Sequence, residues 1–436
     1  MDLPKSRAAN ARLHELVPGG AHTYAKGEDQ YPEGLVPVIS HGHGAHVWDI
    51  DGNRYIEYGS GLRSVSLGHA HPKVLEAVRR ELGRGANFVR PGIVELDAAE
   101  RFLATVPTAE MVKFAKNGSD VTTAAVKLAR AATGRPLVAI CRDHPFFSTD
   151  DWFIGTTAMS AGIPEQVTGL TVSFPYGDLA ATEELLGRYD GQVACLLLEA
   201  ATQHEPPAGY LRGMRELADR YGCLLVFDEM ITGLRWSEAG AQGLYGVTPD
   251  LSTFGKALGN GFAVSALAGK REFMEQGGLR ADRERVFLLS TTHGAETHAL
   301  AAAMSVLDTY VSEHISARLH DLGERLAAGV REVTAGMGVA DHVVVRGRAS
   351  NLVFATLDEN LRPSQAYRTL FLRQLVSGGV LGPSFVVSSA LSEEDIERTL
   401  EVVGQACAVY RKALDAQDPT PWLGGRAVKP VFRRYV

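Results

Sequence analysis

The order of apolar and polar positions along the chain predicts an α/β protein. From Pro72 onward, short apolar runs alternate with segments whose apolar residues recur every three or four positions. The runs predict strands and the periodic segments predict helices, an alternation typical of βαβ units around a parallel sheet. The main predicted elements are helices at 73–82, 94–104, 120–132 and 213–221 and strands at 111–115, 137–141, 193–198 and 224–227.

The two ends of the chain predict smaller lobes. Before residue 65, two short strand patterns at 45–49 and 55–58 are joined by Asp51-Gly52, which is a strong hairpin signal. After about residue 310, long helical patterns surround short apolar runs. We therefore expect an N-terminal lobe at 1–65, a large domain at 66–309 and a C-terminal lobe at 310–436, with both lobes forming a small α+β domain.

Composition narrows the protein class. The chain has 45% hydrophobic and 22% charged residues, which is ordinary for a soluble globular protein. No stretch is apolar over the roughly 18 residues that a membrane span requires. The first twelve residues are polar and lack the apolar core of a secretory signal. These features predict a cytoplasmic protein that does not interact with membranes.

Charge and cysteine usage indicate a small-molecule partner. The net charge of −7 is spread along the chain, which argues against a nucleic-acid-binding surface. The four cysteines form no C-x-x-C pair, so we expect buried free thiols at Cys141, Cys195, Cys223 and Cys407. The alternating histidines His41, His43 and His46 lack an accompanying acid or cysteine set, and we predict no metal site.

The segment from Leu224 to Gly261 carries the strongest chemical signal. A buried strand pattern ends in Asp228-Glu229, and Lys256 follows between Gly255 and Gly259. Ligands of parallel sheets bind at the carboxyl ends of the strands. A lysine near a carboxylate is what pyridoxal phosphate requires, because the amine bonds to the aldehyde and the acid holds the protonated ring nitrogen. The alternative is a solvated loop lysine and a helix-capping aspartate.

Two further segments are candidates for binding a phosphate. Asn117-Gly118-Ser119-Asp120 follows a strand and begins a helix, whose backbone N–H groups and dipole attract anions. The segment 290–296 contains Ser290, Thr291 and Thr292 and also precedes an apolar helix. Taken alone, ordinary helix capping is the commoner use of the first pattern and an equal alternative for the second.

Taken together, these motifs resemble those of the class III aminotransferases, in particular the branch that is similar to glutamate-1-semialdehyde aminomutase. The resemblance runs from about Leu16 to Tyr310. The matching segments are Val17-Pro18-Gly19-Gly20, Val47-Trp48-Asp49-Ile50-Asp51-Gly52, Leu67-Gly68-His69-Ala70-His71-Pro72, Asn117-Gly118-Ser119-Asp120, Phe227-Asp228-Glu229-Met230-Ile231-Thr232-Gly233 and Phe254-Gly255-Lys256.

The resemblance implies the fold of the type I pyridoxal-phosphate-dependent transferases, with a large domain around a mostly parallel sheet. Lys256 looks like the lysine that forms the Schiff base and later moves the substrate proton. Asp228 looks like the partner of the ring nitrogen. Gly118 and Ser119 look like the phosphate cradle, and Thr292 like the threonine that reaches the phosphate from the neighbouring subunit. A homodimer with its sites at the subunit interface follows.

Other positions near the cofactor are less clearly assigned by the resemblance. Glu199 follows a predicted strand where the family keeps a glutamate facing the cofactor, although a helix-start carboxylate is an equal alternative. The family usually places an aromatic residue over the ring after the strand that here ends at Cys141. This chain offers Phe146 or Phe147 for that contact, with His144 as an alternative, and core packing would also explain both phenylalanines.

The expected substrate follows from departures from the family pattern. Tyr24-Ala25-Lys26 replaces the arginine that the aminomutase uses for the substrate carboxylate, and lysine is not equivalent for bidentate binding. Gly61-Leu62-Arg63 stands where the aminomutase has Ser-Trp. The N-terminal segment resembles members linked to polysaccharide and aminoglycoside biosynthesis. We therefore expect Tyr24, Lys26, Arg63 and Gln203 to contact an oxidised sugar or aminoglycoside intermediate; a surface or interface loop is the alternative.

These observations predict transamination from an amino donor such as glutamate to a carbonyl substrate. Intramolecular aminomutase chemistry and epimerisation at an amine-bearing carbon need the same lysine and acid, so the motifs leave both open. A non-catalytic relative that binds a cofactor or a partner protein is the remaining alternative. The retained lysine, acid and phosphate segments argue against it.

Overall fold

A computed structural model describes residues 1–281 and 283–434. Its α-helices are α1 Pro4–Leu16, α2 Ser60–Arg63, α3 Pro72–Leu82, α4 Ile93–Thr105, α5 Gly118–Thr133, α6 Asp151–Ile154, α7 Glu165–Thr168, α8 Leu179–Arg188, α9 Tyr210–Tyr221, α10 Gly240–Tyr245, α11 Arg271–Met274, α12 Thr297–Ser312, α13 Ile315–Gly336, α14 Gln365–Ser377, α15 Glu393–Ala416 and α16 Thr420–Leu423. Its strands are β1 Ile39–His43, β2 His46–Asp49, β3 Arg54–Glu57, β4 Met111–Ala115, β5 Leu137–Cys141, β6 Thr171–Phe174, β7 Val193–Leu198, β8 Leu224–Asp228, β9 Leu251–Phe254, β10 Ser265–Gly269, β11 Val343–Arg346, β12 Val353–Thr356 and β13 Val380–Leu381.

The chain divides into two compact units. One contains residues 1–71 and the chain from Arg318 onward, and the other contains Pro72–Ala317. The first unit has a sheet in the order β1-β2-β3-β13, in which the predicted hairpin pairs β2 with β3 antiparallel and β13 lies parallel to β3. A small core containing Leu3, Val47, Tyr55 and Leu381 holds this sheet to the chain around it.

The second unit is built on a seven-stranded sheet in the order β4-β10-β9-β8-β7-β5-β6. The strands from β9 to β6 pair in parallel, whereas β10 runs antiparallel to both β4 and β9. The predicted α/β class with a mostly parallel central sheet is confirmed. β5 and β7 are apolar and buried along their whole length, which explains why they occur at their predicted bounds.

The sheet core fixes the positions at which its strands end. Leu196, Leu198 and Phe227 are fully buried beside Met214 of α9, within one cluster of apolar side chains. Because this packing sets the register of the parallel strands, the residues that follow β7 and β8 reach the same edge of the sheet. Leu198 pairs with Phe227, so Glu199 and Asp228 are the next residues on neighbouring strands.

Several chain-wide expectations can be compared with the described residues. All four cysteines are buried and free. Within residues 1–281 and 283–434, no helix combines the length and apolar character needed to cross a bilayer. His46 forms a hydrogen bond of 2.8 Å with Asp395, while the ring of His41 stacks on Trp48. These contacts give two of the three alternating histidines an ordinary packing role.

Candidate active site

Asp228 is the last residue of β8 and lies almost completely inside the protein. Its Oδ1 accepts hydrogen bonds from the backbone N–H of Met230 at 2.9 Å and from Oγ1 of Thr253 at 3.2 Å. Burial raises the pKa of this carboxyl to about 6, while the charge of Lys256 acts in the opposite direction. Both hydrogen bonds end on Oδ1, so Oδ2 is the oxygen left for a donor from a ligand.

Lys256 begins a short 3-10 turn, Lys256–Gly259, and is separated from the end of β9 only by Gly255. Its own φ of 43° is in the left-handed region, which is uncommon for a residue with a side chain and is often found at functional sites. Thr253, three residues before Lys256, pairs with Asp228 across β8 and β9, so the lysine and the buried carboxylate follow the same end of two neighbouring parallel strands. The two residues singled out in the sequence thus come from adjacent strand ends.

Met230 connects the lysine turn to the predicted phosphate turn, and sequence reasoning did not identify it. A Cβ on Gly255 would lie 2.7 Å from Met230 Sδ, and a Cβ on Gly118 would lie 3.0 Å from the same atom. A side chain at either position would collide with the Met230 thioether, so glycine is required there for space and not for an unusual φ. An apolar residue two positions after Asp228 was the available signal, but strand patterns alone do not show what such a residue contacts.

The predicted phosphate turn forms the N-terminus of α5, which begins at Gly118. Asp120 accepts a hydrogen bond of 2.9 Å from the backbone N–H of Asn117, and Ser265 of β10 donates to the Asn117 carbonyl at 2.8 Å. These contacts hold the turn from both sides. The first N–H groups of α5 have no partner within the helix, so this terminus can accept an anion.

The loop after β5 is fastened to the same end of α5. Thr149 donates its backbone N–H to Ser119 Oγ at 3.0 Å, and Thr122 Oγ1 donates to the Phe147 carbonyl at 2.8 Å. Phe147 is 2% exposed and Phe146 is 43% exposed. The two candidate aromatic residues therefore differ in environment: Phe147 packs in the core, and the Phe146 side chain is accessible.

His144 lies in the same loop and is held by the end of β7. Its Nδ1 accepts the backbone N–H of Glu199 at 3.0 Å, and its ring contacts Phe147 edge-on. Burial lowers the pKa of His144 to about 4, so the ring is neutral and carries its proton on Nε2. Glu199 itself is buried and follows β7 beside Asp228.

Glu229, the second acid of the motif, forms hydrogen bonds within the protein. Its carboxylate accepts the backbone N–H groups of Ala241 and Gln242 at 2.8 Å each, together with the hydroxyl of Thr232. Burial raises its pKa to about 7. Glu229 therefore holds the start of α10, whereas Asp228 keeps an oxygen for a ligand.

Thr292 lies on an exposed segment before α12. Asn87 donates its side-chain N–H to the Thr292 carbonyl at 2.9 Å, which ties the segment to the loop after α3. Glu296 ends the segment and forms an ion pair of 2.6 Å with Lys116, the residue before the phosphate turn. Thr292 itself has an exposed side chain.

The four candidate substrate residues fall into different parts of the molecule. Tyr24 and Lys26 are exposed on a 3-10 turn of the first unit, and Gln203 is exposed in the second. Arg63 ends a run of left-handed residues, with φ of 44° at Ser60, 57° at Gly61, 59° at Leu62 and 73° at Arg63. The Nε of Arg63 donates to Asn351 Oδ1 at 2.8 Å, which orients the guanidinium within the first unit.

The residues of the second unit fit pyridoxal 5'-phosphate. A buried carboxylate with one available oxygen suits a protonated ring nitrogen, and an amine suits an aldehyde. A helix N-terminus with a serine at its second position suits a phosphate. Gly118 and Gly255 both lie against Met230, so the start of α5 and the backbone before Lys256 pack on the same side chain.

Comparisons with known proteins agree with this assignment. The family model of the class-III aminotransferases matches residues 25–381. A glutamate-1-semialdehyde 2,1-aminomutase from Thermus thermophilus is 34% identical over 430 positions, covering 93% of this chain and 99% of that protein. A transaminase structure with bound PLP is 25% identical, with a TM-score of 0.87 over 95% of this chain and all of that one. An omega-transaminase from Sphaerobacter thermophilus is 26% identical, with a TM-score of 0.84 over 93% and 98% of the two chains.

Proposed function

Because this chain belongs to the class-III aminotransferases, whose cofactor is pyridoxal 5'-phosphate, we propose that it transfers an amino group between two separate substrates. The donor is an amino acid such as glutamate. The acceptor is a carbonyl compound, namely an oxidised sugar or an aminoglycoside intermediate. The observation that supports this proposal is that Lys256 follows β9 while the buried Asp228 ends the neighbouring parallel strand β8.

The residues of the chain have distinct tasks in this reaction. When bound, the cofactor supplies an aldehyde that takes up the amino group and a ring that delocalises negative charge. The Nζ of Lys256 removes the proton from the substrate carbon and returns it later as an acid. Oδ2 of Asp228 keeps the proton on the ring nitrogen, because a carboxylate buried in a low-dielectric site interacts strongly with an adjacent cation. Gly118 and Ser119 hold the phosphate through the N-terminus of α5.

The acceptor proposal depends on four side chains. Tyr24 and Lys26 stand in place of an arginine that would hold a carboxylate through two parallel hydrogen bonds, and a lysine offers only a point charge. Each of these two residues, like Arg63 and Gln203, carries a donor or an acceptor that suits the hydroxyl groups of a sugar.

Aminomutase chemistry is the second candidate. The 34% identity to a glutamate-1-semialdehyde aminomutase supports it, since that relative is matched over nearly its whole length. In that reaction one substrate both gives and receives the amine, so no free keto product accumulates. Epimerisation at an amine-bearing carbon requires the same lysine and is a third candidate for this site.

We also propose a homodimer in which Thr292 contacts the phosphate bound to the other subunit. Large apolar side chains at Phe88, Val89 and Ile93 are 50%, 100% and 65% exposed, next to the Asn87 side chain that holds the Thr292 segment. Several large exposed apolar side chains close together in the chain favour a protein interface. A cytoplasmic location is likewise proposed, and the four free thiols support it.

The deciding experiment is an absorbance titration of the purified holoenzyme. Glutamate, glutamine and other amines are added one at a time without acceptor. Under transamination the visible band of the lysine-bound cofactor converts to the pyridoxamine 5'-phosphate spectrum, and a carbonyl sugar then restores it. If glutamate-1-semialdehyde alone is turned over and no donor changes the band, aminomutase chemistry replaces this proposal.

Lys256→Ala tests the assignment of the amine. The variant is expected to lose the visible band and all turnover while it retains the circular dichroism spectrum of the wild type. Lys113→Ala, which removes an exposed lysine of β4, is the matched control and should keep the band. A Lys256→Ala variant with residual turnover above background contradicts the proposed role.

A further inference from the structure

An ion pair joins the predicted phosphate turn to the Thr292 segment. Nζ of Lys116 lies 2.6 Å from Oε2 of Glu296, and the two side chains are 38% and 16% exposed. This is the distance of a charge-assisted hydrogen bond, which is about twice as strong as a bond between neutral groups. Because Glu296 is largely shielded from water, salt screens this pair less than it screens a surface pair.

Glu296 has further basic partners. Nδ1 of His293 lies 3.0 Å from Oε1, and Nε2 of His298 lies 4.0 Å from Oε2. The hydrogen bond from Lys116 is the main cause that lowers the pKa of Glu296, and both histidines contribute to the lowering. Glu296 is therefore held as a carboxylate between His293 of its own segment and Lys116, which is distant in the chain.

Lys116 and Glu296 each adjoin a segment that is predicted to bind phosphate. Lys116 directly precedes Asn117, whose carbonyl is held by Ser265 and whose N–H is held by Asp120. Glu296 directly precedes α12 and follows Thr292 by four residues. A shift of the carboxylate would displace the Thr292 segment, because the bond from Asn87 to the Thr292 carbonyl is exposed to water and holds the segment only weakly.

We infer that Glu296 is a positioning residue, fixed by Lys116 and His293, that holds Thr292 in place for contact with the cofactor phosphate. The inference rests on the proposed role of Thr292 at the phosphate of the other subunit. In that dimer, Lys116 precedes the phosphate turn of its own subunit and anchors the Thr292 segment, which contacts the phosphate bound to the other subunit. The Lys116–Glu296 pair therefore links the two cofactor sites of the dimer.

The test measures binding of pyridoxal 5'-phosphate and of pyridoxal, which lacks the phosphate. Both are titrated into protein from which the cofactor has been removed, and release from the holoenzyme is followed with a phosphatase trap. Glu296→Gln is expected to weaken binding of the phosphorylated cofactor about tenfold and to speed its release, with little effect on pyridoxal. Lys116→Met should have the same effect as Glu296→Gln.

A double variant separates positioning through Thr292 from a general loss of structure. Thr292→Val removes the hydroxyl, so adding Glu296→Gln to it should cause no more than about a twofold further loss. Asp308→Asn is the matched control, because it removes another acid of the same region, an aspartate of α12 that pairs with Arg101 of α4. This control should bind both ligands like the wild type, and all variants should sediment as dimers.

Three results would overturn the inference. Equal losses for pyridoxal and its phosphate would indicate a structural role, and additive losses in the double variant would show that Glu296 does not act through Thr292. Tighter binding in Glu296→Gln would show that the released Lys116 binds the phosphate itself. A wild-type protein that binds no cofactor would instead remove the proposed function, so the two failures are distinguishable.

Discussion

Thr253 of β9 donates a hydrogen bond of 3.2 Å from its Oγ1 to Oδ1 of Asp228, which ends the neighbouring strand. The backbone N–H of Met230, two residues further along the chain, donates to the same oxygen. These two hydrogen bonds orient the carboxylate through Oδ1 and do not involve Oδ2. This arrangement explains how a buried acid can be kept available for a cationic ligand group.

Asp228→Asn is expected to reduce turnover by about 10²–10³-fold while the protein still folds and binds the cofactor. The amide oxygen can accept the bonds from Met230 and Thr253, but its N–H₂ group cannot stabilise a protonated ring nitrogen. Steady-state kinetics and the visible spectrum would measure the two effects. Asp190→Asn, at an exposed position, is the control. Unchanged turnover in Asp228→Asn would refute the role of this carboxylate.

The stability of the cofactor-free protein should fall as pH rises from about 4 to 7 through Asp228 and Glu229. Burial raises the pKa of Asp228 to about 6 and that of Glu229 to about 7, so the folded state retains protons that the unfolded chain has already lost. The stabilising contribution is complete below the unfolded pKa values and is lost as pH passes the folded ones.

Urea unfolding at a series of pH values would test this dependence. Glu229→Gln should have a flatter profile than the wild type between about pH 4.5 and 7, because its side chain does not titrate. Either oxygen of the carboxyl group can accept a backbone N–H, whereas the amide NH₂ cannot, so the variant should also be less stable than the wild type at the acidic end. Parallel profiles for the two proteins would show that Glu229 does not titrate in this window.

Gly255→Ala should lower the free energy of unfolding by about 1–3 kcal/mol and weaken cofactor binding. The added methyl group would lie 2.7 Å from Met230 Sδ, and the thioether or the Lys256 turn must move. Met230→Ala in the same background should recover part of the loss by removing the obstruction. Gly336→Ala is the control, since a methyl group added there would have no other side chain within 4 Å. Failure of Met230→Ala to restore any stability would exclude this contact as the cause.

The two phenylalanines after β5 should respond differently to truncation. Phe147→Ala removes a core ring that is 2% exposed and should cost about 3–5 kcal/mol of stability. Phe146→Ala should leave stability nearly unchanged, because the side chain is 43% exposed, but should shift the visible band and speed cofactor release. A Phe146→Ala holoenzyme with wild-type spectrum and release rate would exclude this ring from the cofactor contact.

The strands Leu137–Cys141 and Val193–Leu198 are buried on both faces and were predictable because their apolar runs are uninterrupted. Met111–Ala115 also has its predicted bounds, although Lys113 is exposed. Leu251–Phe254 and Ser265–Gly269 were not predicted, since serine, threonine, alanine and glycine give no apolar period. Those two strands complete the sheet around Lys256, and the antiparallel direction of the second depends on pairing between distant segments.

By itself, the sequence determined the α/β class, the family resemblance and the lysine and aspartate candidates, because these depend on local patterns and on spacing along one chain. Only the tertiary structure decided which of the two adjacent acids keeps an oxygen for a ligand, as Asp228 does, and which holds a neighbouring loop, as Glu229 does. It also separated Phe146 from Phe147 and brought Lys116 to Glu296. The physical reason is that burial and hydrogen bonding are set by segments far apart in the chain, whose contacts no local pattern records.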